Sequence, residues 1–298
     1  MTAARVEKAP AKVNLTLHVS ARRPDGYHEI ESLVAFAGIG DALSFTPDDT
    51  LSLVVLGPAA SACGDVSDNL VLKAARALAE RIDGLRLGLF MLSKRLPVAA
   101  GLGGGSSDAA AALRLLAHAN GLAPGDARVL QAAKATGADV PVCLDPKPRL
   151  MRGIGEILSG AIALTPMPAV LVNPGVALAT RDVFAELDEP LNSAGLSRSG
   201  AQLQEQQDWA ARARERRTLF STLAQERNDL ENPAIRLCPA IGRVLELLRS
   251  QAGCTLARMS GSGATCFGLF ASREAARAAA RNIRAAHPAW WVRATTLG

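Results

Sequence analysis

Small residues and hydroxyls gather at Pro97-Val98-Ala99-Ala100-Gly101-Leu102-Gly103-Gly104-Gly105-Ser106-Ser107, where an alanine- and leucine-rich run to Ala119 begins. Such a run strongly favours helix. At a helix start the first N–H groups lack helical partners and the dipole is positive, so the junction can cradle a polyphosphate. Glycines let the backbone approach the phosphate oxygens closely. The plainer reading is a loop with a serine cap. Two common nucleotide patterns fail here, because no Gly-Lys-Ser/Thr ends the loop and position 106 is serine instead of glycine.

Three further features could join this loop. A second glycine turn, Met259-Ser260-Gly261-Ser262-Gly263-Ala264, lies between two strand-like runs; alone it reads as a tight hairpin. Lys12 sits in the polar row of an alternating segment, one of six lysines against 27 arginines, and its plainer reading is a solvated surface lysine. Asp139, in Gly137-Ala-Asp139-Val-Pro141, follows a predicted helix stop and is otherwise an ordinary turn or capping aspartate. A serine hydrolase is excluded, since neither serine-glycine cluster forms GxSxG.

The elements that must position these residues follow from the periodicity. Val13, Leu15, Leu17 and Val19 alternate with Lys12, Asn14, Thr16 and His18, predicting a half-buried strand over 9–19. A turn at Pro24-Asp25-Gly26 leads to a strand over 27–36, with β-rich runs at 42–46 and 51–56. A helix over 69–83 with an Asn cap and a strand over 85–95 precede the glycine loop. Helix over 126–136 stops at Gly137; a strand at 170–173 and a short helix near 182–187 follow. Residues 190–227 read as a solvent-exposed connection with one polar helix, and the broken basic run Arg212, Arg214, Arg216, Arg217 as a solvated face. The last third reads helix 240–249, strand 255–259, glycine turn, strand 265–270, helix 273–286, strand 290–296, an α+β arrangement.

Composition bounds the function. The chain has 298 residues, enough for two lobes, with 49% hydrophobic and 20% charged residues as in a folded globular protein. Aromatics at 4% are too scarce for a base-stacking nucleic-acid platform, and a net charge of +5 is a weak bias toward anionic ligands. The five cysteines, odd in number and without CxxC, suggest neither disulfides nor zinc but reduced, buried thiols. Prolines or charges interrupt every apolar run, so a cytoplasmic protein without membrane spans is expected.

Taken together, the strand with its basic residue, the PxxxGLGGGSS loop opening a helix and the SGSGA turn resemble the GHMP kinase superfamily, named for galactokinase, homoserine, mevalonate and phosphomevalonate kinases. Within it, Ala9-Pro-Ala-Lys12-Val-Asn14-Leu, Arg23-Pro-Asp-Gly26-Tyr27-His28, Gly137-Ala-Asp139-Val-Pro141 and Gly153-Ile-Gly155-Glu156 are similar to the members that phosphorylate a tertiary hydroxyl of a cytidine diphosphate-linked alcohol on the non-mevalonate isoprenoid route. The resemblance implies an α+β, two-lobed GHMP kinase fold. Its N-terminal, ATP-binding lobe (1–165) would be ribosomal protein S5 domain 2-like and its C-terminal lobe (166–298) ferredoxin-like, with the exposed connection at about 190–227. It implies Lys12 and Asp139 as the catalytic pair, Pro97 to Ser107 as the ATP loop, Asn14 as a substrate holder, and Tyr27, His28 and Phe184 as a cytosine pocket. Mg2+ would arrive on the ATP phosphates, with Ser107 as a contact and no carboxylate metal cage. The partner is a small-molecule cytidine diphosphate substrate, with no nucleic acid or membrane, acting on a monomer or weak homodimer. A homoserine- or mevalonate-type kinase, or a silent nucleotide-binding regulator, stays open as an alternative. One departure is Asp145-Pro-Lys147-Pro-Arg149, where a glycine- and alanine-rich strand is expected.

Overall fold

The computed structural model describes residues 5–193, 209 and 215–298. Their internal contacts define two units that interleave along the chain. The first contains the residues up to Lys12, Ile39–Val98 and Gly103–Pro146; the second contains Val13–Gly38, Ala99–Leu102 and the chain from Lys147 onward.

In the first unit, β5 (Gly88–Ser93) lies between β4 (Ser52–Leu56), which it meets in parallel, and the second half of β3 (His28–Pro47), which it meets antiparallel. The sequence pattern suggests a break between two strands near 37–41, yet β3 runs through it. Gly40 is there for a different reason: a Cβ would fall 2.2 Å from the Ala9 carbonyl oxygen on β1 (Arg5–Asn14), so the two backbones touch. Helices α1 (Leu70–Ala79), α2 (Gly104–Ala119), α3 (Ala127–Thr136) and α4 (Val140–Leu144) pack on one another. Asn69 caps α1 as expected and Asp126 caps α3, each accepting a backbone N–H two residues on. Gly137 ends α3 in extended, not left-handed, backbone. Ser107 to Leu113 of α2 are all buried, and the alanines among them let its neighbours approach closely. The short α4 has no apolar period to announce it.

In the second unit, β8 (Met167–Asn173), α8 (Ala240–Arg249), β9 (Cys254–Met259), β10 (Cys266–Phe270), α9 (Arg273–Ala286) and β11 (Trp291–Leu297) form βαββαβ, with antiparallel strand order β11-β8-β10-β9. That is the ferredoxin-like arrangement the resemblance implies. Ile241, Val244, Leu245 and Leu248 of α8 and Ala276, Ala279, Ala280 and Ile283 of α9 cover one face of the sheet, against Val170, Val172, Cys266, Phe270 and Val292. The first half of β3 pairs with β2 (His18–Arg22) and with β6 (Arg149–Gly153), while β7 (Ile157–Leu158) extends β6. α5 (Thr180–Ser193) is longer than the predicted 182–187, and α6 (Arg216–Gln225) and α7 (Glu231–Leu237) precede α8.

The predicted strand over 9–19 is corrected in two ways. It is split into β1 and β2, and its polar row is not solvated: Lys12, Asn14 and Thr16 are buried like the apolar row. Thr16 is accommodated because its Oγ1 accepts the Leu33 N–H at 2.9 Å and its carbonyl accepts the Ser32 hydroxyl at 2.5 Å. Cys63 and Cys254 are half-buried, whereas Cys143, Cys238 and Cys266 are buried, and burial pushes the Cys143 thiol up to about 12. Most of the expected connection at 190–227, with Arg212 and Arg214, lies outside the described residues. Among the described residues no helix is long and apolar enough to cross a membrane.

Candidate active site

Helix α2 starts without a side-chain cap, since its N-cap is Gly103 at φ +58, in the left-handed region. The N–H groups of its first residues therefore have no intrahelical acceptor, and only Ser107 N closes a bond, to Gly103 O at 2.9 Å. A Cβ at Gly103 would meet Lys12 Cε at 3.1 Å and Lys12 Cβ at 3.2 Å, so the glycine is what lets the lysine stem lie against the helix start. Lys12 Nζ then reaches Asp139 Oδ2 at 3.0 Å. Asp139 occupies the N-cap position of α4 but makes no capping hydrogen bond; its carboxylate faces the lysine instead. The pair is asymmetric, with the Lys12 side chain 5% exposed and that of Asp139 39% exposed. A half-exposed ion pair adds little stability, so its chemistry and not its energy marks it out. Ser107 is fully buried, and its hydroxyl donates to Pro10 O at 2.8 Å, tying the helix to β1.

Beneath the same helix start lies a buried cluster that no sequence pattern announces. Lys94 Nζ donates to Asp41 Oδ2 at 2.6 Å and to Asp108 Oδ2 at 2.7 Å. Asp41 Oδ1 accepts the backbone N–H groups of Arg95 and Leu96, on the chain entering the glycine loop, while Asp108 lies in α2 just past it. The cluster thus fastens both ends of the loop. A Cβ at Gly104 would lie 3.1 Å from Lys94 Nζ. Burial raises the Asp108 pKa to about 7 against the pull of Lys94, with Asp41 adding to the rise; among the described residues Asp108 Oδ1 has no hydrogen-bond partner. Lys94 itself is raised, since the two carboxylates outweigh the burial that opposes its charge.

The remaining candidates belong to the second unit. Asn14 is buried; its N–H donates to Ser260 Oγ at 3.2 Å and its Nδ2 to Ser32 Oγ at 2.7 Å. The glycine turn between β9 and β10 closes through Ser260 N and Thr265 O at 2.9 Å and holds the loop segment Ala99–Leu102. Ser260 Oγ donates to Gly101 O at 2.8 Å, and a Cβ at Gly101 would strike Ser260 O at 2.3 Å. Ala99 has φ 50, a left-handed conformation unusual for a residue with a side chain. His28 and Phe184 stack directly, with ring centroids 4.7 Å apart and planes 22° from parallel. In this arrangement the His28 ring itself covers a face of Phe184, which also packs on the core of the unit. Tyr27, by contrast, is 60% exposed. Asp188, one helical turn beyond Phe184 on α5, accepts from His28 Nε2 at 2.9 Å.

Chemically, the first unit offers unpaired helix N–H groups for phosphate and, beside them, a carboxylate and an ammonium suited to handling a hydroxyl proton. The second offers rings and a fixed imidazole suited to a heterocyclic base. Lys94, Asp41, Asp108 and Asp188 escaped the sequence reading. Only the rarity of lysine, and a carboxylate inside an alanine-rich helix, could have drawn attention to the first three.

Comparisons with known proteins point to one family. Residues 69–145 match the family model for the GHMP kinases N terminal domain, and residues 209–289 match that for GHMP kinases C terminal. The chain is 58% identical over 292 residues to the 4-diphosphocytidyl-2-C-methyl-D-erythritol kinase of Methylobacterium radiotolerans, covering 98% of each chain. It is 54% identical to the protein of the same name from Rhodopseudomonas palustris, covering 98% of this chain and 96% of that one. Among solved structures, a 4-(cytidine 5'-diphospho)-2C-methyl-D-erythritol kinase superposes with a TM-score of 0.77 at 34% identity over 99% of both chains. L. major mevalonate kinase shares the fold, with a TM-score of 0.66 at 16% identity over 99% of this chain and 96% of that one.

Proposed function

The chain belongs to the GHMP kinases, and on that premise we propose that it transfers the γ-phosphoryl group of ATP to the 2-hydroxyl of 4-diphosphocytidyl-2-C-methyl-D-erythritol. The carrying observation is the Lys12–Asp139 pair at 3.0 Å, with its carboxylate half-exposed, against the uncapped start of α2. The full-length likeness to kinases of that name, at more than half identity, supports the substrate over a mevalonate or homoserine type. An intact pair speaks against a silent regulator.

Phosphoryl transfer of this kind passes through a loose transition state, so position and charge do most of the work. In this reading residues Pro97 to Ser107 hold the nucleotide phosphates, chiefly through the free N–H groups at Gly104 and Gly105. Asp139 accepts the proton of the acceptor alcohol as its oxygen bonds to phosphorus and the bond to ADP breaks. Lys12 steadies the charge on that oxygen, so a weakly basic carboxylate suffices. Asn14 holds the substrate, with Ser32 and Ser260 keeping its amide in place. Tyr27, His28 and Phe184 receive the cytosine. Magnesium enters as part of the nucleotide substrate and spreads the phosphate charge. Ser107, its expected contact, is buried and engaged with Pro10, and holds the loop to the strand. The two family matches, one on each side of residue 165, support reading 1–165 as the ATP-binding lobe and 166–298 as its companion.

The test is ADP release from MgATP with three acceptors: the cytidine diphosphate alcohol, mevalonate and homoserine. Turnover with the first alone is expected. Preferential turnover of either other acceptor, or none with any, overturns the proposal.

A further inference from the structure

His28 and Asp188 are both buried, and His28 Nε2 stands 2.9 Å from Asp188 Oδ2. Phe184 lies four residues before Asp188, so one face of α5 supplies both a ring to stack on the imidazole and a carboxylate to meet its far nitrogen. The ring plane and the ring's rotation are thereby both fixed. Arg22 Nε lies 4.0 Å from the same carboxylate oxygen and is the other charge facing it. Among the described residues Nδ1 has no hydrogen-bond partner, and it is not sealed off as Asp108 Oδ1 is.

In a neutral imidazole the nitrogen facing a carboxylate carries the proton, and the other nitrogen becomes an acceptor. We propose that Asp188 is a positioning residue that makes the pocket select cytosine over uracil, by holding the His28 proton on Nε2 and so presenting Nδ1 as an acceptor for the base's amino group. Cytosine carries that amino donor. Uracil carries a carbonyl at the same place, which would set lone pair against lone pair. This rests on the function proposed above and adds a residue to it: Asp188 touches no substrate, and acts through the tautomer of His28.

The experiment compares wild type with Asp188→Asn and Asp188→Glu, using cytidine- and uridine-linked forms of the substrate. In Asp188→Asn the side-chain amide can offer either oxygen or NH2 to Nε2, so the tautomer is no longer dictated. The cytidine-to-uridine ratio of kcat/KM should fall roughly tenfold, the worth of about one hydrogen bond. KM for ATP should stay unchanged, and Asp188→Glu should recover part of the ratio. Long-range nitrogen–proton NMR on histidine-labelled protein gives an independent reading, since the chain has four histidines and His28→Ala identifies the signal. Neutral wild-type His28 should be protonated on Nε2, with both tautomers present in Asp188→Asn. An unchanged ratio in a folded Asp188→Asn protein overturns the inference, as does a wild-type proton on Nδ1. Absence of any turnover of the cytidine substrate by wild type refutes the proposed function instead.

Discussion

Asp139 carries the account at the scale of single residues, because the structure denies it the ordinary role of an N-cap and leaves it half-exposed against a buried lysine. If proton removal and charge stabilisation act as one unit, Lys12→Met and Asp139→Asn should each remove nearly all turnover, and the double variant should be little worse than either. ATP affinity should stay within a few-fold in Asp139→Asn, as titration calorimetry would report, since the carboxylate serves the acceptor. Multiplicative losses would mean that the two act apart. Both residues were visible in the sequence only as members of motifs. Lys12 alone reads as a surface lysine, because the alternation of its strand cannot tell a solvated polar row from one buried against Asp139, Ser32 and Ser260. Asp188 was illegible for a related reason. A carboxylate in a helix is ordinary until folding brings an imidazole from residue 28 against it.

The start of α2 is the element on which the chemistry depends, and its glycines are constrained by neighbours as much as by a ligand. Gly104→Val would push on Lys94 Nζ, 3.1 Å from the new Cβ, and so disturb the cluster that fastens the loop. ATP binding should weaken at least tenfold while affinity for the alcohol substrate changes little; equal losses in calorimetry would point to general misfolding. The cluster also has a pH signature. Folding raises the Asp108 pKa from its ordinary 3.8 to about 7, because the buried carboxyl is held more easily neutral. The folded state therefore binds that proton more tightly than the unfolded chain, and its stabilisation, full below pH 3.8, is lost as pH rises through about 7. Asp108→Asn should flatten this slope, so melting temperatures of variant and wild type should converge at low pH, with the variant gaining relative to wild type through neutrality. Parallel curves would contradict the assignment. The glycine loop and helix were plain in the sequence. The lysine cluster was not, because Asp41 on β3 and Lys94 just past β5 are far apart in the chain and no local spacing joins them.

Across the whole molecule, the final βαββαβ of the second unit was readable almost element by element, since α8 and α9 carry strong apolar stripes and glycine turns mark the hairpin. What the pattern missed was short or fused: α4, β6 and β7, and the unbroken β3, whose Gly40 looks like a stop but serves a close backbone approach. The second unit is tied together by Arg258, buried by folding so that its pKa is lowered, and donating to the carbonyl oxygens of Leu15, Leu223 and Glu226. Arg258→Met keeps the stem but removes the donors, which should cost on the order of 3 kcal/mol in a denaturant melt, from acceptors left unsatisfied at roughly 1–3 kcal/mol each. A cost below about 1 kcal/mol would show that water or other donors replace it. Where the phosphoryl group goes is read from NMR of the product formed by wild type from MgATP and the cytidine diphosphate alcohol labelled with carbon-13 in its methylerythritol. A new phosphorus signal coupled to both the quaternary carbon that bears the 2-hydroxyl and its methyl group is expected, whereas a new phosphorus signal without coupling to the methyl carbon, or release of inorganic phosphate alone, would contradict transfer to the 2-hydroxyl.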